Sequence, residues 1–155
     1  MIGGTRIDYW RNTLRERAFI GGAAKAGPVN SFGMVQLWNP TDSGFILICN
    51  KITHVSDALV TNAHTLRFHN AALSGAESQG NKYLNGAAGV GLVKSGDSVM
   101  VGTLMFEFRA PPGVERRLLD HSDPIIIPEG LGLILTINSD TAINSTIFEW
   151  IEVPV

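Results

Sequence analysis

The 155-residue chain is poor in charged residues. They make up 17% of the sequence, against about 25% in typical soluble domains, and the formal net charge is −2. Contacts with phosphate need clustered Lys and Arg, so we do not expect nucleic acid as a partner. The low charge instead favours a protein whose surface is partly covered by other subunits.

Cysteine is also scarce. Cys49 is the only one, which excludes an intramolecular disulfide. It lies in the apolar run 45–49, which predicts a buried, unreactive thiol, because a nucleophilic thiol needs an electropositive and partly open setting.

Two kinds of long apolar segment are missing as well. The first twelve residues include Asp8 and lack the apolar core of a secretory signal. No apolar run approaches the roughly 18 residues of a membrane helix. We therefore expect a protein that is made in the cytoplasm and has no membrane partner.

Residues 1–31 differ from the rest and form a predicted N-terminal arm. Residues 7–19 have the spacing of a short helix, and the small residues that follow must lie extended. The aromatic residues of this arm cannot be buried locally, so they either dock on a neighbouring subunit or pack back on their own domain. The candidate interface residues are Tyr9, Trp10, Arg15, Arg17, Phe19 and Pro28.

From residue 32 onward the pattern indicates β-strands. Residues 32–38 and 45–55 are apolar runs separated by Asn39-Pro40 and Ser43-Gly44, which predicts a β-hairpin. Alternation or apolar runs predict further strands at 58–71, 98–110, 124–127, 131–138 and 145–155. Residues 74–91 read as a long loop that is either functional or ordered by contacts, and residues 94–97 read as a turn.

Short strands separated by turns, with no helical pattern after residue 31, predict an all-β fold. The arrangement we expect over residues 32–155 is an antiparallel β-sandwich of jelly-roll type that carries the extended N-terminal arm.

The residues that could support enzymatic chemistry do not form a recognisable motif. A metal site would have to use His54, His64, His69 or His121. The segment Pro128-Glu129-Gly130 resembles part of a cupin metal motif, but Leu133 stands where cupins have histidine. We therefore expect no enzymatic activity, metal or cofactor, and a cupin-like enzyme remains only as an alternative.

Residues 35–55 contain Gln-Leu-x-Asn-Pro-x-x-Ser-Gly followed by an apolar strand, and residues 124–135 contain Pro-Ile-Ile-Ile-Pro-x-Gly-x-Gly-Leu-x-Leu. Both stretches, about a fifth of the chain, resemble tailed-bacteriophage virion proteins. The resemblance implies a jelly-roll capsid decoration (cement) protein, or a head- or tail-associated protein, usually a dimer or trimer. Its location would be the virion, and its partner the major capsid protein or another virion protein.

An alternative from another class is a carbohydrate- or receptor-binding jelly roll of a phage tail or fibre. That function requires aromatic side chains exposed beside polar groups in a cleft. The candidates are Trp38, Tyr83 and Trp150.

Overall fold

The computed structural model describes residues 17–76, 79–81, 87–119, 123–139 and 141–155, and within these ranges the fold is all-β with two antiparallel sheets. The prediction of an all-β chain is thus confirmed. None of the described residues belongs to a helix long and apolar enough to cross a membrane. The strands are β1 (Ala18–Ala26), β2 (Phe32–Trp38), β3 (Phe45–Ser56), β4 (Asn62–His69), β5 (Gly75–Ala76), β6 (Gln79–Asn81), β7 (Leu92–Ser98), β8 (Thr103–Ala110), β9 (Arg116–Leu119), β10 (Ile125–Ile127), β11 (Gly132–Ile137) and β12 (Ile143–Pro154).

The first sheet has the order β10-β3-β12-β1-β6, and β9 also pairs with β3. The two longest strands, β3 and β12, pair along their whole length. Their register shifts by one residue at Asn50, which forms a bulge opposite Glu149 and Trp150. Because of this bulge, Cys49 and Ile52 both face the interior although they are three positions apart.

The second sheet has the order β5-β7-β2-β11-β4-β8. The central strands β2 and β11 are buried on both faces, which explains why their sequences are almost continuously apolar. Inward-facing side chains of both sheets fill one core between them: Phe19, Val35, Leu37, Leu47, Cys49, Ile52, Leu66, Val93, Ile127, Leu133, Leu135, Phe148 and Trp150.

The predicted hairpin of β2 and β3 is wrong. The two strands belong to different sheets: β2 pairs with β7 and β11, whereas β3 pairs with β12, β9 and β10. The segment between them crosses from one sheet to the other. Asn39-Pro40 and Ser43-Gly44 do form a turn, but a turn alone does not decide whether two strands pair or pack face to face.

Two boundaries also differ from the prediction. Residues 94–97, predicted as a turn, lie inside β7 and pair with β2, so strand pairing overrides the local preference of Lys-Ser-Gly-Asp. The strand predicted over 98–110 begins only at Thr103, because Gly102 adopts a φ of +83° that ends the preceding turn. The predicted loop 74–91 contains the short strands β5 and β6.

The described part of the predicted arm contains β1, which pairs with β12 over nine residues and with β6 over three. The residues after the aromatic segment are extended, as their composition suggested, and they belong to the first sheet. The helix predicted at 7–19 falls mostly outside the described residues.

Candidate functional site

The structure describes three of the six predicted interface residues, and Tyr9, Trp10 and Arg15 lie outside its described ranges. Phe19 is buried and stacks on Trp150, with 5.7 Å between the ring centroids. Arg17 lies close by and is exposed. Pro28 is exposed in the turn between β1 and β2, at the opposite end of β1. The structure therefore brings Arg17 and Phe19 together but not Pro28.

A buried carboxylate, which sequence reasoning missed, fixes the beginning of β1. The Arg17 guanidinium lies 3.9 Å from Glu152 and 4.4 Å above the ring of Phe45. Glu152 is fully buried, and its Oε1 accepts hydrogen bonds from the Gly91 amide and the Trp150 indole. A Cβ on Gly91 would lie 2.8 Å from that indole nitrogen, so only glycine fits there. This arrangement binds three distant segments and is structural.

The two sequence stretches that resemble phage virion proteins meet in one buried turn network. Asn39 is fully buried, and its amide donates to the carbonyl oxygens of Phe45 (2.8 Å) and Ile127 (3.1 Å). Ser43 donates to the Asn39 side-chain oxygen at 2.8 Å. The Gly44 amide donates to the Glu129 carboxylate. The turn between β2 and β3 is thus joined to the turn between β10 and β11.

The function of this network is to hold the fold. The backbone of Asn39 bonds to the second turn as well. Its N–H donates to the Leu131 carbonyl, and its C=O accepts from the Gly130 N–H. Asparagine is needed since it both donates and accepts within a turn. The motif therefore marks a structural joint between the sheets and offers no open site.

A second buried network contains two of the candidate metal-binding histidines. His54 on β3 and His64 on β4 lie in opposite sheets, and His54 Nε2 is 2.9 Å from His64 Nδ1. His69 is not part of this cluster. In the described part of the chain, no group of three or more His, Cys, Asp or Glu side chains is placed to hold a metal ion.

Neighbouring groups determine which ring nitrogens carry protons. Asn144 donates from its amide to the carbonyl oxygens of Gly33 and Leu135, so its side-chain oxygen must accept the 2.6 Å bond from Thr146. The Thr146 oxygen is then free to accept from His54 Nδ1 at 3.1 Å. His54 Nε2 is left as the acceptor for His64 Nδ1–H.

Both rings are consequently neutral. Burial, with a smaller contribution from the adjacent His64, lowers the pKa of His54 to about 4. Burial also lowers the pKa of His64, whose ring stacks on Phe108 at 5.1 Å. The pair connects the two sheets and is closed to solvent.

The single cysteine is also inaccessible to solvent. Cys49 is fully buried, as predicted, and burial raises the pKa of its thiol to about 12. A thiol with so little thiolate at neutral pH is a poor nucleophile.

The tryptophans proposed for carbohydrate binding are buried. Trp38 and Trp150 have only 9% and 1% of their surface exposed, so neither presents an aromatic platform to a sugar. That expectation is wrong for these two residues, because Trp150 lies in the core between the sheets and Trp38 is buried on β2. Tyr83 lies outside the described residues.

The feature of the surface best suited to a partner is the outer face of the first sheet. An open trough of about 770 Å³ crosses β1, β12 and β3 on this face. Ile20 and Ile147 project into it beside Gly22, Ala24 and Val55. Ile147 is 44% exposed although Thr146 and Phe148 on either side of it are buried.

The charged groups described in this region are paired: Lys51 lies 2.7 Å from Glu149 across β3 and β12, and Glu115, which lines the trough, lies 3.5 Å from Arg117. Ile126 on β10 and Ile143 on β12 are exposed as well. An apolar strand face that neither sheet covers is typical of a protein–protein contact surface. The alternation in β12 is the sequence signal for it, since Ile147 occupies an outward position between two inward ones.

Comparisons of this chain with protein-family models, with curated protein sequences and with solved structures found no match in any of the three.

Proposed function

We propose that this chain is a non-enzymatic structural subunit of a tailed-phage virion, a homo-oligomeric capsid decoration protein that stabilises the particle through contacts between subunits. The observation that carries the proposal is the apolar outer face of the first sheet. Stabilising a capsid requires contact area and no reactive group, and the His54–His64 pair and Cys49 are closed to solvent.

The size of this face suits a stable interface. The five strands β10, β3, β12, β1 and β6 contain 39 residues. Strand spacing and rise then give a face of about 600 Å², or about 1,200 Å² over two partners, which is at the lower end of specific protein–protein interfaces. On this face Lys51 pairs with Glu149, and Glu115 at the trough pairs with Arg117. A partner therefore meets little unpaired charge, which lowers the cost of desolvation.

The strand order supports a jelly-roll topology for the proposed subunit. One sheet contains the series β1-β12-β3 with β9 and β10 beside β3, and the other contains β2-β11-β4-β8. The first strand thus pairs with the last, and the second strand pairs with the last but one. Two such interleaved sheets are what two Greek keys produce, and jelly rolls of this kind are common among viral capsid proteins.

The sequence resemblance supports the class of protein and not its position on the particle. The two stretches that carry the resemblance are joined by the hydrogen bonds of Asn39 and Glu129, which hold the fold together. They therefore indicate a type of fold and no location. Contact between the predicted N-terminal arm, residues 1–31, and a neighbouring subunit remains part of the proposal. Synthesis in the host cytoplasm and assembly into the virion follow from the same proposal.

Quantitative mass spectrometry of purified virions from the phage or prophage that encodes the chain tests this function. A decoration protein should be present in a copy number comparable with that of the major capsid protein. A copy number comparable with that of a tail fibre would contradict decoration and favour the receptor-binding alternative. Absence from the particle would contradict a virion role altogether.

The contribution of the outer face can be tested with Ile147→Glu. The substitution places a charge in the trough and should reduce incorporation into particles without unfolding the chain. Val29→Glu is the matched control, because Val29 is 69% exposed in a turn away from the trough. Equal incorporation of the two variants would show that the face is not used.

A further inference from the structure

Strand β8 forms an edge of the second sheet. It pairs with β4 on one side, and among the described residues no strand pairs with its other side. Most of its side chains are exposed, including Leu104 (48%) and Phe106 (36%). An edge strand of this kind presents a row of backbone N–H and C=O groups to any strand that can align with it.

Proteins commonly protect such edges with proline, lysine or a bulge. In β8 the register with β4 shifts at Met105, so this residue is bulged and the first part of the strand is irregular. Residues 106–110 are regular and contain neither proline nor lysine. The edge is therefore open to strand pairing over this five-residue segment.

The two faces of the segment differ in chemistry. Phe106 and Phe108 lie on the core side, since they pair with Leu66 and His64, and Ala110 continues the same face. Glu107 and Arg109 lie on the outer side and are exposed. The partner strand must match apolar residues on one face and both charges on the other.

We propose that β8 pairs antiparallel with β8 of a second copy of this chain, in a register centred on Phe108. In this register Phe106 lies opposite Ala110 of the other copy, and the two Phe108 residues lie opposite each other. Glu107 of each copy lies opposite Arg109 of the other. One register thus satisfies the apolar face and forms two cross-strand ion pairs.

The neighbouring registers do not match both faces of the segment. Centring on Glu107 or on Arg109 places like charges opposite each other, which is destabilising. Centring on Phe106 places Glu107 opposite Met105, which is bulged. Because a C2 dimer repeats every contact that lies off its axis, the Glu107–Arg109 pair forms twice, whereas the central residue meets its own copy once.

The inference gives a specific surface to the homo-oligomer of the proposed function and rests on that part of it. Sedimentation velocity of the purified protein tests it without any virion component, so its failure is separate from that of the virion role. Wild-type protein should associate reversibly to a dimer as its concentration rises. A wild-type chain that stays monomeric at every concentration overturns the proposal and leaves a strand of another protein as the occupant of the edge.

Charge reversal tests the register. Glu107→Arg and Arg109→Glu should each weaken self-association about tenfold or more, since two attractive pairs become repulsive. The double variant should restore the wild-type dimer, and an equal mixture of the two single variants should form a heterodimer. Asp123→Arg is the control, because Asp123 is exposed and lies outside both β8 and the trough, so its reversal should leave association unchanged.

Failure of both the double variant and the mixture to recover association would overturn the register. Hydrogen exchange provides an independent measurement that needs no variant. Among the backbone amides of residues 106–110, those directed outward from β4 should exchange more slowly in concentrated than in dilute wild-type protein. Exchange that does not depend on concentration would overturn the pairing.

Discussion

The pair formed by His54 and His64 predicts that acid will destabilise this fold by a defined amount. His54 is neutral in this arrangement, since its Nδ1 donates to Thr146 and its Nε2 accepts the proton of His64 Nδ1. A second proton on His54 would turn its Nε2 into a donor, and His64 would then have to move its own proton to Nε2, a buried atom without a hydrogen-bond partner. The pKa of His54 is about 4 in the folded chain, whereas an unperturbed histidine titrates near 6.5.

The sign of the effect follows from which state binds the proton first. The unfolded chain protonates this histidine as the pH falls through about 6.5, and the folded chain resists until about pH 4. The contribution of His54 to the free energy of unfolding is therefore fully present above about pH 6.5, and it is lost as the pH falls from there to about 4. His54 alone accounts for about 2 kcal/mol at about pH 5 and about 3 kcal/mol near pH 4.

Urea unfolding followed by tryptophan fluorescence measures this loss. A change of about 2 kcal/mol corresponds to a midpoint lower by about 1 M urea for a domain of this size. The double variant His54→Leu with His64→Leu removes both titrating groups and replaces them with apolar side chains of similar volume, so its pH dependence should be much weaker. His69→Gln, which replaces a histidine outside this pair, is the matched control.

Parallel loss of stability in wild type and double variant between about pH 7.5 and pH 5 would refute the reasoning. If the double variant does not fold, nitrogen NMR of the wild-type rings gives the same answer. The His54 ring should keep its single proton on Nδ1 down to about pH 5. A ring that gains its second proton near pH 6.5 would show that burial does not control its titration.

Three other predictions concern buried groups. Asn39→Ala should lower the free energy of unfolding by about 3 kcal/mol because two buried carbonyl groups lose their donor, whereas Ser31→Ala, at an exposed turn, should change it by less than about 0.5 kcal/mol. Glu152→Ala should cost about 3 kcal/mol or more, since the Gly91 amide and the Trp150 indole lose their acceptor, and Glu115→Ala is the exposed control for the same urea measurement. Cys49 should react with an aromatic disulfide reagent only after unfolding in urea, and rapid labelling of the native protein would contradict its burial.

Local sequence patterns predicted most of the strands but not how they pair. Alternation in β4 and in β12 and the apolar runs of β3 and β11 were sufficient to place these strands to within a few residues. The predicted pairing of β2 with β3 failed because strands on either side of a short connection can also pack face to face in different sheets. That choice depends on β11 and β12, which lie about 90 residues further along the chain.

The strand β7 shows the same limit on a smaller scale. Ser95-Gly96 has the composition of a turn, yet both residues pair with β2, and Ser95 also pairs with Gly75. A central position in a sheet outweighs a weak local preference, because β-propensity depends on the neighbours that a residue packs against. No window of sequence around residue 95 contains those neighbours.

The buried polar clusters could not be predicted from the sequence, because their members come together only when the sheets pack. His54 and His64 are ten residues apart and lie on strands of opposite sheets, so only the packing of the sheets brings their rings within hydrogen-bonding distance. Glu152 sits in an apolar strand with nothing nearby in sequence to indicate that Gly91 and Trp150 would both donate to it. Charged and polar residues in such runs are better read as candidates for buried networks than as surface positions.

The pattern that suggested a phage protein has a physical explanation that limits what it can indicate. In this chain Asn39 satisfies buried backbone carbonyls where the chain crosses between the sheets, and Glu129 accepts from the Gly44 amide from the facing turn. Any two-sheet protein that crosses over at this point would favour the same residues. The proposed virion role rests instead on surfaces that the motif does not touch, such as the trough at Ile147 and the edge at Glu107 and Arg109.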